Sequence, residues 1–164
     1  MASPILSIII PVYNNETSIE RIAKQVLSQP FQDIELIFID DGSNDDTLGV
    51  LRGIKSKDKR VVIQSKRNGG PSSARNLGID KSRGRYIQFY DSDDSIPNNS
   101  ITTTISAIGE TKADLLVSGW RVDLNTPSGV IDGYKEINPD LENIDKGLVE
   151  YTLRSLGNSG VLYN

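Results

Sequence analysis

Apolar runs of strand length recur along the first two thirds of the chain, and each ends in a polar block. Ile5-Leu6-Ser7-Ile8-Ile9-Ile10-Pro11-Val12 is nearly continuous, the pattern of a strand buried on both faces. Ile34-Glu35-Leu36-Ile37-Phe38-Ile39 predicts a second such strand, Val61-Val62-Ile63 a short third and Tyr86–Tyr90 a fourth. Leu115–Trp120 predicts a fifth. Between them the period changes. Ile19, Ile22, Ala23, Val26 and Leu27 recur at helical spacing, with Thr17 and Glu20 spaced as a capping box and Pro30 as the stop. Asp45 or Asp46 is placed to cap a helix carrying Leu48, Leu51 and Ile54. Pro71 suits the first position of a helix with Ala74, Leu77 and Ile79, and Pro97 opens one with Ile101, Ile105 and Ile108.

Strands alternating with helices through short connections predict an α/β fold, a three-layer sandwich around a mostly parallel sheet. The pattern degrades after Trp120. Residues 123–140 read as a loop or small hairpin, and 141–156 as one last helix. This divides the chain into an α/β domain over 1–122 and the start of a further region over 123–164. The chain reads as cut from something longer.

In a parallel sheet the carboxyl ends of the strands share one rim, where ligands bind. Four blocks fall there: Pro11-Val12-Tyr13-Asn14, Asp40-Asp41-Gly42-Ser43, Asn68-Gly69-Gly70-Pro71 and Asp91-Ser92-Asp93-Asp94. Tyr13 offers a flat face for a base. Asp40 or Asp41 suits a base N–H or a ribose hydroxyl. Gly69 and Gly70 let backbone approach a ligand beside a helix N-terminus. Arg75 suits a diphosphate. If the chain stays extended past Tyr90, Asp91 and Asp93 point to one side and call for a hard cation. An EF-hand reading fails, because Ile96 and Thr102 stand where Gly and Glu are needed. A dinucleotide fingerprint fails because residues 11–18 hold no glycine.

Composition narrows the chemistry. Histidine and cysteine are absent, which excludes thiolate and zinc sites and Ser-His catalysis and leaves oxygen ligands, favouring Mg2+ or Mn2+. The net charge of −4 argues against a general nucleic-acid binder. No apolar run approaches the roughly 18 residues of a transmembrane segment.

Taken together in order and spacing, Ser7–Asn14, Ile37–Ser43, Asn68–Gly78 and Asp91–Asp94 resemble the family 2 glycosyltransferases over roughly residues 5–120. The resemblance implies the Rossmann-like GT-A nucleotide-diphospho-sugar transferase fold. It also implies inverting transfer from a nucleotide-diphosphate sugar, usually UDP-linked, to a glycan or lipid-linked acceptor, with Mn2+ or Mg2+. By position it assigns Pro11, Tyr13, Asp40, Asp41, Gly70, Arg75 and Ser92 to the nucleotide and Asp91 and Asp93 to the metal. Asp40 is the residue expected to bind the base, and Asp93 the direct ligand.

The family's catalytic Asp or Glu is not recognisable among Asp123, Asp132, Glu136, Asp140, Glu142, Asp145 and Glu150, so the base is expected beyond residue 164. The location implied is cytoplasmic, peripheral at the inner face of a membrane in a full-length protein. The alternatives are a non-catalytic nucleotide-binding module and a sugar-1-phosphate nucleotidyltransferase. The second lacks its Gly-rich basic loop over Pro11–Thr17.

Overall fold

A computed structural model describes residues 3–111, 115–117, 120–125, 131–137 and 161–163. In chain order the elements are β1 (Leu6–Val12), α1 (Ile19–Leu27), β2 (Ile34–Asp40), α2 (Thr47–Lys57), β3 (Val61–Ser65), α3 (Pro71–Lys81), β4 (Tyr86–Phe89), α4 (Ser100–Thr111), β5 (Leu115–Val117), β6 (Trp120–Asn125), β7 (Ile131–Ile137) and β8 (Val161–Tyr163). The main sheet runs β3-β2-β1-β4-β8-β5. β3, β2, β1 and β4 are mutually parallel, and β8 is antiparallel to both β4 and β5. The mostly parallel α/β architecture expected from the pattern is the one observed.

The continuous apolar runs are explained by burial on two faces. All of β2 is buried, and in β1 only Pro11 is partly open. Leu6, Ile8, Ile10, Leu36 and Phe38 pack with Ile22 and Val26 of α1, Leu51 of α2 and Ile101 and Ile108 of α4. On the opposite face Ile9, Ile37, Ile39 and Phe89 meet Ala74 of α3, with Leu77 partly buried beside it. Helices therefore cover both faces. Contact with α3 is close because Gly78 faces Ile9, where an added Cβ would lie 2.3 Å from Cγ2. Ile79, expected on the packing face of α3, is instead 44% exposed, since Ala74 and Gly78 set that face one position earlier.

Several local expectations are corrected. The capping box at Thr17 and Glu20 does not form: Ser18 occupies the cap position and makes no side-chain cap bond. The chain before it is held across to the next βα loop instead. The Asn15 N–H donates to Thr47 Oγ1 at 2.9 Å, and the Asp46 N–H to Glu16 at 2.8 Å. Asp46 sits at the cap position of α2, yet it is Asp45 whose carboxylate accepts the Thr47 N–H, at 3.1 Å. α4 starts at Ser100 rather than at Pro97, after Asn99 turns the chain with φ of 66°.

The fifth strand is described over Leu115–Val117. Trp120 instead begins β6, which pairs antiparallel with β7, so the hairpin reading of this region holds. β8, drawn from the last residues, fills the gap between β4 and β5. The helix expected over 141–156 lies outside the described residues.

At the amino-terminal end of the strands, a buried carboxylate closes the sheet. Glu35 accepts the Ser7 hydroxyl at 2.6 Å, the Arg83 N–H at 2.6 Å, and Arg83 Nε and Nη2 at 3.0 and 2.8 Å. Burial pushes this carboxyl up, but Ser7 and Arg83 outweigh it and hold it below its ordinary value. The cluster fixes the α3–β4 connection and leaves the opposite rim free for a ligand.

Candidate functional site

The parallel register brings the carboxyl ends of β1, β2 and β3 level, with Val12 beside Asp40 and Asp40 beside Ser65. β4 ends one strand over, where the Tyr90 N–H still donates to Ile9 O at 3.2 Å. All four predicted blocks therefore lie along one rim.

Tyr13 leaves β1 with a ring 48% exposed. The next residue, Asn14, adopts φ of 49°, a left-handed conformation that asparagine tolerates. Its Oδ1 accepts the Asn44 N–H at 2.8 Å, and its own N–H donates to Ser43 Oγ at 3.0 Å. These bonds fix the turn that presents the Tyr13 face. Pro11, one strand position deeper, is partly buried.

The two acids after β2 have different surroundings. Asp40 is buried, with Oδ1 accepting the Ser43 N–H at 3.0 Å and Oδ2 the Ser65 hydroxyl at 2.7 Å. It braces β2 against β3. Asp41, also buried, organises the glycine turn: it accepts Lys66 Nζ at 2.6 Å, the Gly69 N–H at 3.1 Å and the Gly70 N–H at 2.7 Å. Burial raises the Asp41 carboxyl, but the Lys66 ammonium and the two amides more than offset this and hold it below the usual carboxylate range. Gly70 has φ of 84° where α3 begins, a conformation that requires glycine.

Past β4 the chain turns and does not stay extended. Asp94 Oδ2 accepts the Asp91 N–H at 2.9 Å, and the Asp94 N–H returns to Asp91 O at 3.1 Å. The alternation that put Asp91 and Asp93 on one side therefore does not apply, and the strand ends at Phe89, before Tyr90. Arg75, from α3, donates through Nη2 to Asp91 Oδ1 at 2.5 Å. The structure thus joins the residue expected at the diphosphate to one expected at the metal. The Ser92 hydroxyl accepts Asn15 Nδ2 at 2.8 Å. Asp93 is exposed, and its carboxylate makes no hydrogen bond among the described residues. No group of three or more acidic side chains that would enclose a metal ion occurs among the described residues.

Sequence reasoning passed over the residues that hold this rim together. Lys66 and Ser65 bond to the acids after β2. Arg21 of α1 donates through Nη2 to Asp93 O and through Nη1 to Asp94 O, both at 2.8 Å. The one signal for Arg21 was its place in the polar stripe Arg21, Gln25, Gln29 beside the apolar face of α1.

Comparison with known proteins agrees with this geometry. The family model described as "Glycosyl transferase family 2" matches residues 7–147. An uncharacterized glycosyltransferase of Haemophilus influenzae is 46% identical over 102 residues, 62% of this chain and 41% of that protein. The poly(ribitol-phosphate) beta-glucosyltransferase of Bacillus spizizenii is 34% identical over 148 residues, 88% of this chain and 23% of that protein. Among solved structures, S. aureus TarS 1-349 in complex with UDP-GlcNAc superposes with a TM-score of 0.66 at 26% identity. It matches 78% of this chain and 37% of its own. The chain thus spans about two fifths or less of the curated relatives it matches.

Proposed function

The chain belongs to glycosyl transferase family 2, and from that premise we propose that it forms the donor-binding part of an inverting sugar transferase. The donor is a nucleotide-diphosphate sugar, UDP-linked, and the acceptor is a hydroxyl of a glycan or lipid-linked glycan. Residues 1–122 form the nucleotide-sugar and metal domain, and 123–164 begin the acceptor side. The observation that carries this reading is the single rim that gathers Tyr13, Asp40, the Asp41-held glycine turn, the Arg75–Asp91 pair and the exposed Asp93 carboxylate, which makes no hydrogen bond among the described residues. The UDP-GlcNAc complex of the similar TarS structure supports the choice of UDP.

Tyr13 supplies a stacking face for the base. Asp40, fixed by Ser43 and Ser65 and paired across the sheet with Val12, lies at the strand end from which Tyr13 emerges. Gly70 admits the backbone of the loop to the diphosphate without a Cβ in the way, as nothing lies within 4 Å of that position. Asp93 and Asp91 fit a hard cation: they are oxygen donors, Asp93 is uncommitted, and Asp91 has only Oδ1 engaged by Arg75. One or two carboxylates are what Mg2+ or Mn2+ takes from a protein when phosphates supply other ligands. The chemistry such an ion supplies is charge neutralisation on the departing diphosphate. Arg75 exchanges Asp91 for a diphosphate oxygen and adds a second positive group there. The acceptor's general base is not among these residues.

A thermal-shift panel of UDP, GDP, CDP and ADP, each with Mn2+, Mg2+ or EDTA, tests the reading. Saturation at 100 times Kd stabilises a fold by about 2.7 kcal/mol, or about 5–10 °C at this size. A shift with UDP and metal alone supports it. No shift with any nucleotide, repeated on a chain of the relatives' full length, overturns it. Binding without sugar transfer in that longer chain leaves a non-catalytic nucleotide-binding module.

A further inference from the structure

We propose that Arg21 and Gln25 of α1, with Gln29 just past its end, are positioning residues that hold the Asp91–Asp94 turn in shape for its ligand. The inference rests on the donor-site reading above. Spaced four apart, Arg21 and Gln25 share one face of the helix beside the apolar stripe that packs on the sheet, and Gln29, just past the cap residue Ser28, continues the line by donating through Nε2 to Gln25 O at 3.2 Å.

Along this face each successive residue of the segment after Asp91 is tied down. Ser92 accepts Asn15 Nδ2. Asp93 O accepts Arg21 Nη2 at 2.8 Å, and Asp94 O and Ser95 Oγ accept Arg21 Nη1 at 2.8 and 3.0 Å. The Ile96 N–H donates to Gln25 Oε1 at 3.2 Å, and Pro97 O accepts Gln29 Nε2 at 2.9 Å. Gln29 is itself buried, so the stripe is anchored in the core at its far end.

This turn lies beyond the last ladder bond of β4; its own bonds, from the Asp91 N–H to Asp94 Oδ2 and from the Asp94 N–H to Asp91 O, close it, and Arg21 ties the closed turn to α1. Asp93 O, Asp94 O, the Ile96 N–H and Pro97 O are held by Arg21, Gln25 and Gln29, while the Asp93 carboxylate is exposed and makes no hydrogen bond among the described residues. A ligating carboxylate held this way binds without first paying for loop ordering.

Charge and geometry predict opposite signs, which makes the role testable. Arg21 is a cation beside a proposed cation site. On electrostatics alone, its removal tightens metal binding. If it positions the turn, removal weakens metal binding.

Calorimetric titration of UDP in Mn2+ and in EDTA reads the difference for the parent chain, Arg21→Met, Arg21→Lys and Gln25→Ala. A matched control, Arg60→Met, breaks a comparable clamp at the other end of the strands, where Arg60 bonds Gln32 Oε1 at 2.7 Å and Leu27 O at 3.1 Å. The expected result is a loss on the order of tenfold in UDP affinity with Mn2+ for Arg21→Met, equal to about 1.4 kcal/mol. Affinity in EDTA stays within about twofold, Arg21→Lys recovers part of the loss, and Arg60→Met shows none of it. Unchanged or tighter Mn2+-dependent binding in Arg21→Met, or in Gln25→Ala should the first variant not fold, overturns the proposal while the donor site stands. A parent chain that binds no UDP with Mn2+ overturns the donor-site reading and this inference with it.

Discussion

The Glu35–Arg83 clamp is asymmetric, and the asymmetry decides which half is costlier to remove. The Glu35 side chain is 3% exposed and that of Arg83 58%. Glu35→Gln removes the buried charge and lets the guanidinium hydrate. The loss is that of a charged hydrogen-bond set to a partly solvated partner, about 1–2 kcal/mol. Arg83→Ala strips the counter-charge from a carboxylate that cannot reach water.

Breaking a buried pair in this way costs about 3–5 kcal/mol. The low end applies, because the Ser7 hydroxyl and the residue-83 N–H remain as donors. At about 2–4 °C per kcal/mol for a chain of this length, Arg83→Ala lowers Tm by about 6–12 °C and Glu35→Gln by about 2–8 °C.

The pH dependence has a defined sign. The Glu35 carboxyl is held below its unfolded value, so its contribution is present above the unfolded pKa and is lost as pH falls through the folded one. Without the Arg83 side chain two of the influences that lower this carboxyl are lost while burial still raises it, so it titrates higher than in the parent. The Arg83→Ala deficit is therefore largest at neutral pH and narrows as the solution becomes acid. Urea denaturation from pH 7 to pH 3 measures both. A Glu35→Gln variant less stable than Arg83→Ala at pH 7, or an Arg83→Ala deficit that grows on acidification, refutes the reasoning.

Three further outcomes are expected. Gly78→Ala places a methyl against Ile9 and destabilises by about 1–3 kcal/mol through overpacking, seen as a lower urea midpoint with UDP affinity unchanged. Asp93→Ala leaves the unfolding free energy within about 0.5 kcal/mol of the parent, since its exposed carboxylate makes no hydrogen bond or ion pair among the described residues, but removes the metal-dependent part of UDP binding in a thermal-shift assay. Asp41→Asn unpairs Lys66 and weakens the bonds to Gly69 and Gly70, so amide exchange at residues 69 and 70 accelerates. In the parent the carboxyl lies low, so that loop is protected at neutral pH and loses protection as pH falls.

Fold and rim were legible to different depths. Ile5–Val12 and Ile34–Ile39 announce themselves because strands buried on both faces are apolar throughout, and their alternation with helices is enough to predict a mostly parallel sheet. The position of the four blocks follows from parallel topology alone. What the polar atoms do there depends on partners distant in sequence. Asp41 looks like a turn residue until Lys66 and Gly70 are brought to it. Arg75 and Asp91 meet only because α3 crosses the sheet before β4 returns.

The condition that the chain stay extended past Tyr90 fails because a side-chain bond from Asp94 and a main-chain bond back to Asp91 close the turn, and periodicity carries no trace of either. β8 is three residues long, too short to show a period, and its neighbours in the sheet are β4 and β5. Among the described residues no helix is long and apolar enough to cross a membrane.

Paramagnetic broadening of the chain's backbone amide signals by trace Mn2+, recorded with and without UDP, tests the central claim most directly. The account predicts broadening centred on residues 91–95 and extending to 69–72, dependent on UDP and absent in Asp93→Ala. Broadening centred elsewhere, or none with UDP at saturation, contradicts a nucleotide-diphosphate and metal site on this rim.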